Sequence, residues 1–184
     1  MGRPIRLATK YSWKAPVEKY ETIKSALRKQ IETRGYNPKL SAYTRTLDGS
    51  QLDASVLVMP LVGYCDAASP RMQSTCDAIS RTLSDNGLIR RYVDVDDGLK
   101  GREGSFGICN FWLAEVFARA GKLEQSRHYF EEILKRANRL GLWSEEIHPQ
   151  TGEYLGNYPQ AFTHIGLINA ALALSASRKG NKAA

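Results

Sequence analysis

The sequence predicts an all-α protein of the double-layered α/α toroid type, in which inner and outer helices alternate around a ring. Three observations carry this. Six stretches show helical periodicity, they fall alternately into amphipathic and all-apolar kinds, and the long connections occur only where an amphipathic stretch hands over to an apolar one.

In chain order, residues 1–11 read as an N-terminal extension, and residues 12–177 as one domain. The segment 16–34 is an amphipathic helix with Pro16 suited to its first turn. Residues 53–64, DASVLVMPLVGY, form the first apolar helix, which Pro60 should kink or end. Segment 69–85 is amphipathic again, and 104–120, GSFGICNFWLAEVFARA, is apolar on nearly every side. In 122–140, Leu123, Ser126, Phe130, Ile133, Leu134 and Ala137 recur at three- and four-residue steps, which asks for one buried face. Segment 160–177, QAFTHIGLINAALALSAS, is apolar all round and reads as an inner helix like 53–64 and 104–120. The small polar residues 178–184 are expected to be disordered. Links from inner to outer helices are short, Cys65 to Ala68 and a Gly121 C-cap. Links from outer to inner are long, 35–52, 86–103 and 141–159, and long loops inside a compact domain are where function concentrates. On a toroid all three open at one mouth.

Composition narrows the classes. With 42% hydrophobic and 24% charged residues, a 184-residue chain can bury one core. The net charge of +7 does not point to nucleic acid, because residues 1–46 carry eleven Lys/Arg against three acids while the rest is nearly balanced. That basic stretch, with Glu18, Glu21 and Glu32 interleaved, reads as a solvated helix face. No apolar run is long enough for a membrane span and the start lacks a signal-peptide core, so the expectation is a cytoplasmic protein without a membrane partner. Cys65, Cys76 and Cys109 lack CxxC spacing and sit in or beside apolar helical stretches, which argues against disulfides and zinc.

The long loops hold the candidate chemistry. The second, LIRRYVDVDDGLKGREGSF, crowds Arg90, Arg91, Asp94, Asp96, Asp97, Arg102 and Glu103. Its acids miss the EF-hand spacing, leaving either a charged surface loop or an Arg/carboxylate cluster able to grip a hydroxyl-rich ligand. The third loop, GLWSEEIHPQTGEYLGNYPQAF, holds the adjacent Glu145 and Glu146, His148, and the aromatic and amide residues Trp143, Tyr154, Asn157, Tyr158 and Gln160. Aromatic faces stack on sugar rings and carboxylates bond their hydroxyls, so the mix suits a carbohydrate, yet adjacent loop glutamates are most often just a solvated pair. His128, His148 and His164 show no metal-ligand spacing, and no G-x-S-x-G elbow, P-loop or GxGxxG occurs.

Three motif blocks in order, QLDASVLVMPLVGY, then IRRY with DGLKGREGSFGICNFWLAEVFARAGKLEQSR, then RANRLGLWSEEIHPQTGEYLGNYPQAFTHIGLINAAL, closely resemble the C-terminal part of family-15 glycoside hydrolases, the glucoamylase and trehalase-like enzymes. The resemblance covers roughly residues 12–176. It implies an (α/α)6 barrel of which this chain holds about six of the twelve helices, and inverting hydrolysis of a terminal α-linked glucoside by two glutamates without a metal or other cofactor. It places Glu145 at the family's general base and Glu146 beside it. It matches Arg91 and Tyr92 to a glucose-contacting pair, and Glu103 and Trp112 to the pocket lining; Trp143, beside the base, joins the substrate-binding candidates.

The family's general acid sits in a Gly-Ile-Trp-Glu segment that does not occur here. Inversion needs acid and base about 6.5–9.5 Å apart. The chain alone is therefore expected to be nearly inactive and to pair with a separate N-terminal half or with itself, because a half-ring bares apolar helix flanks. Two other readings stand beside this one. One is a truncated, non-catalytic family member. The other is a tetratricopeptide-like binding module suggested by FWLAEVFARAGKLEQSRHYFEEIL, although neighbouring hairpins are spaced by about 50 residues and not the 34 of that repeat.

Overall fold

The computed structural model describes residues 2–93 and 104–181, and these are mostly helical. Their order is α1 (Gly2–Tyr11), α2 (Val17–Arg34), β1 (Tyr36–Asn37), β2 (Ala42–Tyr43), a 3-10 turn (Ala54–Leu57) running into α3 (Val58–Leu61), α4 (Pro70–Thr82), β3 (Ser84–Asp85), β4 (Leu88–Ile89), β5 (Ser105–Phe106), α5 (Gly107–Arg119), α6 (Leu123–Leu134), β6 (Glu146–Ile147), β7 (Tyr154–Leu155) and α7 (Ala161–Asn181). Each of the six predicted helical segments contains a helix. The stretch read as an N-terminal extension adds α1, which packs on α2, and α7 continues to Asn181. No helix among the described residues is long and apolar enough to cross a membrane.

Helix α5 is the centre of the packing. Ile108, Phe111, Leu113, Val116 and Phe117 are all buried, as its apolar sequence requires, and α6 and α7 lie against it. On α7 the contact side carries Thr163, Gly166 and Ala170. A side chain at Gly166 would come within 2.9 Å of Ile108 and 3.1 Å of Phe111, so glycine sets the closeness of the two helices. Ser126 on α6 donates to the Ala114 carbonyl at 2.7 Å and fixes the other flank. The turn between α5 and α6 is a Schellman motif, with Lys122 N–H bonded to Phe117 O and Gly121 N–H to Ala118 O, and Gly121 at a positive φ of 77°.

The structure departs from the sequence reading in four places, and two of these have a local cause. The apolar 53–64 stretch is a 3-10 turn and a single α-turn, not one helix. Asp53 caps its start by accepting from Ser55 N–H, and Gly63 at φ 76° ends it with a second Schellman pair, Tyr64 N–H to Met59 O and Gly63 N–H to Pro60 O. Helix α6 stops at Leu134 and not near 140, because the Asn138 side chain accepts from the backbone of Leu140 and Leu142 and replaces the helical ladder. Helix α2 has no buried residue and leaves Leu27 exposed. Helix α7, expected to be buried all round, shows Phe162, Ile165, Ile168 and Leu172 at 46%, 52%, 55% and 64% exposure, a continuous apolar stripe opposite its contact side.

Nor are the long connections bare. The first carries the β1–β2 hairpin, held to α4 by Tyr43 N–H donating to the Thr75 hydroxyl. The second begins with the β3–β4 hairpin, whose turn residues Asn86 and Gly87 both have positive φ, the geometry of a two-residue primed turn. The start of the 104–120 segment and two short strands of the third connection meet in an antiparallel sheet of order β5-β6-β7. Strands of two residues carry almost no periodic signal, which is why the sequence did not show them.

One polar node ties α2 to this body. Glu32 on α2 accepts from the Tyr64 hydroxyl at 2.9 Å, the Tyr43 hydroxyl at 3.2 Å and Arg71 at 3.0 Å. Burial, and then the Glu32 charge, push the Tyr43 phenol up to about 12, and the Tyr64 phenol is raised by burial and by its bond to Glu32. An unfolded tyrosine titrates near pH 10. The folded chain therefore holds these protons longer, and stability should fall as pH rises from about 10 through about 12. Urea midpoints across that window should decline, and Glu32→Gln should both flatten the decline and lower stability near neutrality by about 1–3 kcal/mol.

Candidate active site

The β5-β6-β7 sheet sits at the entrance to α5 and α7. Its register pairs Glu146 with Phe106 on one side and Leu155 on the other, and Ile147 with Ser105 and Tyr154. Ile147 is fully buried against Phe111, Trp143 and Ile133, which anchors the middle strand in the core. Backbone bonds extend the ladder by one residue: Gly107 N–H donates to Glu145 O, and Glu145 N–H to Asn157 O, at 3.0 and 2.9 Å.

Successive strand residues face opposite sides, so this ladder separates the two adjacent glutamates. The half-buried Glu145 lies over Gly156, and its Oε2 accepts from the Asn157 side-chain amide at 2.8 Å and backbone N–H at 3.2 Å. Glu146 lies instead against Leu155 and Gly104, accepting from the Gly104 N–H at 3.0 Å. One carboxylate belongs to the β7 side of the sheet and the other to the approach to β5.

Arg91 and Tyr92 lie together just past the β3–β4 hairpin. The buried Asn110 of α5 places that hairpin, accepting from Ile89 N–H at 2.8 Å and donating to Gly87 O at 2.9 Å. Ala54 N–H then donates to Arg91 O at 2.7 Å, and the Arg91 guanidinium sits 3.6 Å from the buried Asp53 carboxylate. The guanidiniums of Arg91 and Arg45 both lie over the Tyr92 ring, at 5.5 and 5.2 Å. Asp53 was not singled out by sequence reasoning; its signal was an acid immediately before an apolar helical run.

Trp112 is half-buried on α5, edge-on to Phe162, and lines a cleft of about 600 Å³ shared with Glu115, Arg119 and Leu172. Leu172 is the residue of the open α7 stripe that the cleft reaches. Glu103, together with Asp94, Asp96, Asp97 and Arg102, lies outside the described residues. Among the described residues no group of three His, Cys, Asp or Glu side chains is placed to hold a metal.

Trp143 corrects the sequence reading. It was expected to bind substrate, but its ring is 3% exposed, edge-to-face with Phe111 and His164, and its Nε1–H donates to Ile133 O at 3.1 Å. A ring enclosed on these sides has no face left for a sugar. Its role is to brace the strand that carries Glu145. Tyr154 is structural too, its hydroxyl donating to the carbonyls of Arg136 and Leu142, with burial raising its phenol.

A sequence model of the glycosyl hydrolases family 15 matches residues 2–172. The chain belongs to that family. Among curated relatives, the trehalase of Mycolicibacterium smegmatis is 38% identical over 172 residues, which are 92% of this chain and 26% of the relative. The trehalase of Thermoplasma acidophilum is 38% identical over 167 residues, 91% of this chain and 29% of the relative. The chain thus spans between a quarter and a third of the length of these proteins. Solved structures of a glycosidase, in wild-type form and as a variant in complex with glucose, superpose with a TM-score of 0.73 over 88% of this chain and 46% of theirs, at 19% and 18% identity. That likeness concerns the fold. Family membership also displaces the tetratricopeptide reading of the α5–α6 hairpin.

The bracing role of Trp143 has a measurable consequence. Trp143→Ala should lower the unfolding free energy by about 3–5 kcal/mol in chemical denaturation, as large-to-small changes in packed cores do. A stacking platform would behave otherwise, weakening sugar binding at unchanged stability.

Proposed function

We propose that this chain supplies the base side of an inverting hydrolase of terminal α-linked glucosides, with trehalose as the favoured substrate. The observation that carries the reading is Glu145: the glutamate at the family's base position is half-buried on an ordered ladder, its carboxylate held from one side by Asn157. The substrate class rests on the family and on relatives that are named trehalases. A glucoamylase-type glucan is the alternative within the same chemistry.

In this mechanism Glu145 removes a proton from the water that attacks the anomeric carbon, while a carboxylic acid on the opposite side protonates the leaving oxygen. Arg91, oriented by Asp53 and stacked on Tyr92, offers N–H donors for glucose hydroxyls. Trp112 supplies an apolar wall at the α5 cleft. Glu103 would add a lining carboxylate. Neither a metal nor an organic cofactor takes part.

The matching acid motif does not occur in these 184 residues, and the apolar stripe of α7 lies open. Both features support the half-barrel reading, in which about six of twelve helices are present and the rest of an (α/α)6 ring, from a separate N-terminal half or from self-association, covers Phe162, Ile165, Ile168 and Leu172.

The 184-residue chain alone should release glucose from trehalose at a rate at least about 100-fold below that of the same chain combined with a family segment carrying the acid, since general acid help is typically worth 10²–10⁴-fold. In the combined enzyme, Glu145→Gln should remove turnover by about the same factor and Glu146→Gln should not. Full glucose release by the Glu145→Gln enzyme would end the proposal.

A further inference from the structure

The turn that faces Glu145 is built to a tighter specification than a loop needs. Gly156 sits at φ 71°, a conformation L side chains rarely adopt. A Cβ there would lie 3.0 Å from both the Cβ and the Oε2 of Glu145. The absence of a side chain at Gly156 therefore lets the Glu145 carboxylate lie flat over the turn. The next residue closes a reciprocal set of bonds: Glu145 N–H donates to Asn157 O, while Asn157 returns two donors, its backbone N–H and its Nδ2–H, to a single oxygen of Glu145.

That asymmetry is informative. A glutamate has three rotatable side-chain bonds, and an exposed one samples many rotamers at little cost. Two donors on Oε2 suppress that freedom and leave Oε1 to meet the reacting water. A donor pair on one oxygen also orients the carboxylate plane, which a single bond does not. Proton transfer in such a site depends on heavy-atom placement within hydrogen-bond reach.

We propose that Asn157, presented on the Gly156 turn, is the positioning residue of the Glu145 carboxylate. This rests on the reading of Glu145 as the general base. Asn157 touches neither the scissile bond nor the water; it acts through Glu145. Gly156 is the steric half of the device and Asn157 its polar half.

Two measurements test it. In the 15N-labelled 184-residue chain, one side-chain NH2 proton of Asn157, assigned by its loss in Asn157→Ala, should lie downfield of the solvent-exposed amide protons and exchange slowly, and should return to their position in Glu145→Ala. Equal shifts in the two proteins would overturn the contact. In the chain combined with the acid-bearing segment, Asn157→Ala should lower kcat on trehalose about 10- to 100-fold with KM within about twofold, the cost of misplacing a catalytic group by a fraction of an ångström to an ångström. Added to Glu145→Gln, it should cause no further loss, because residues acting as one unit are not additive. Gly156→Ala should mimic Asn157→Ala in kcat. A kcat for Asn157→Ala within twofold of the parent sinks the positioning role while leaving the base intact. An active Glu145→Gln enzyme sinks the reading beneath it.

Discussion

Everything at the site depends on the burial of α5. Because this helix is almost wholly buried, its Asn110 side chain and its first backbone amide must find internal partners, and the partners these two find are site elements. Asn110, buried in its first turns, bonds the backbone of the β3–β4 hairpin and so sets where Arg91 and Tyr92 emerge. Its N-terminal residue Gly107 donates to the carbonyl of Glu145. One apolar helix thus indexes two loops that are over fifty residues apart in sequence. The rigidity comes from packing, since a buried unpaired amide or carbonyl is costly enough to hold each of these bonds closed.

The second layer of control is the short sheet. Three strands of two residues would be negligible alone, but the central one is held by Ile147 in the core and by Trp143 just before it in the chain. Strand geometry then separates Glu145 from Glu146. One is held by Asn157 and the other by the Gly104 amide, so two chemically identical neighbours enter different surroundings. Glycine at both contacts has a common effect: a glutamate side chain lies so close to the backbone that an added Cβ would crowd it at 3.0 Å.

The open side of α7 is the other consequence of the layout. Its contact side is lined by small residues that let it approach α5 closely, and its far side carries large apolar ones that meet solvent. A helix with two apolar sides is the signature of an inner element in a layered fold, covered twice. In the proposed half-barrel the second cover comes from the remainder of the ring, and the cleft that Trp112 shares with this stripe becomes part of a closed interior.

By itself the sequence determined the helical class, the alternation of amphipathic and apolar segments, the Gly121 turn and the burial of α5, because these follow from periodicity and composition over a dozen or more residues. Its motifs also led to the family and to the segment SEEI. Only the tertiary structure decided which partners each glutamate has, that Trp143 is a brace, that Asp53 faces Arg91, and that α7 bares one side. Those outcomes arise from contacts between residues far apart in the chain and from strands too short to leave a pattern, and no local window of sequence contains them.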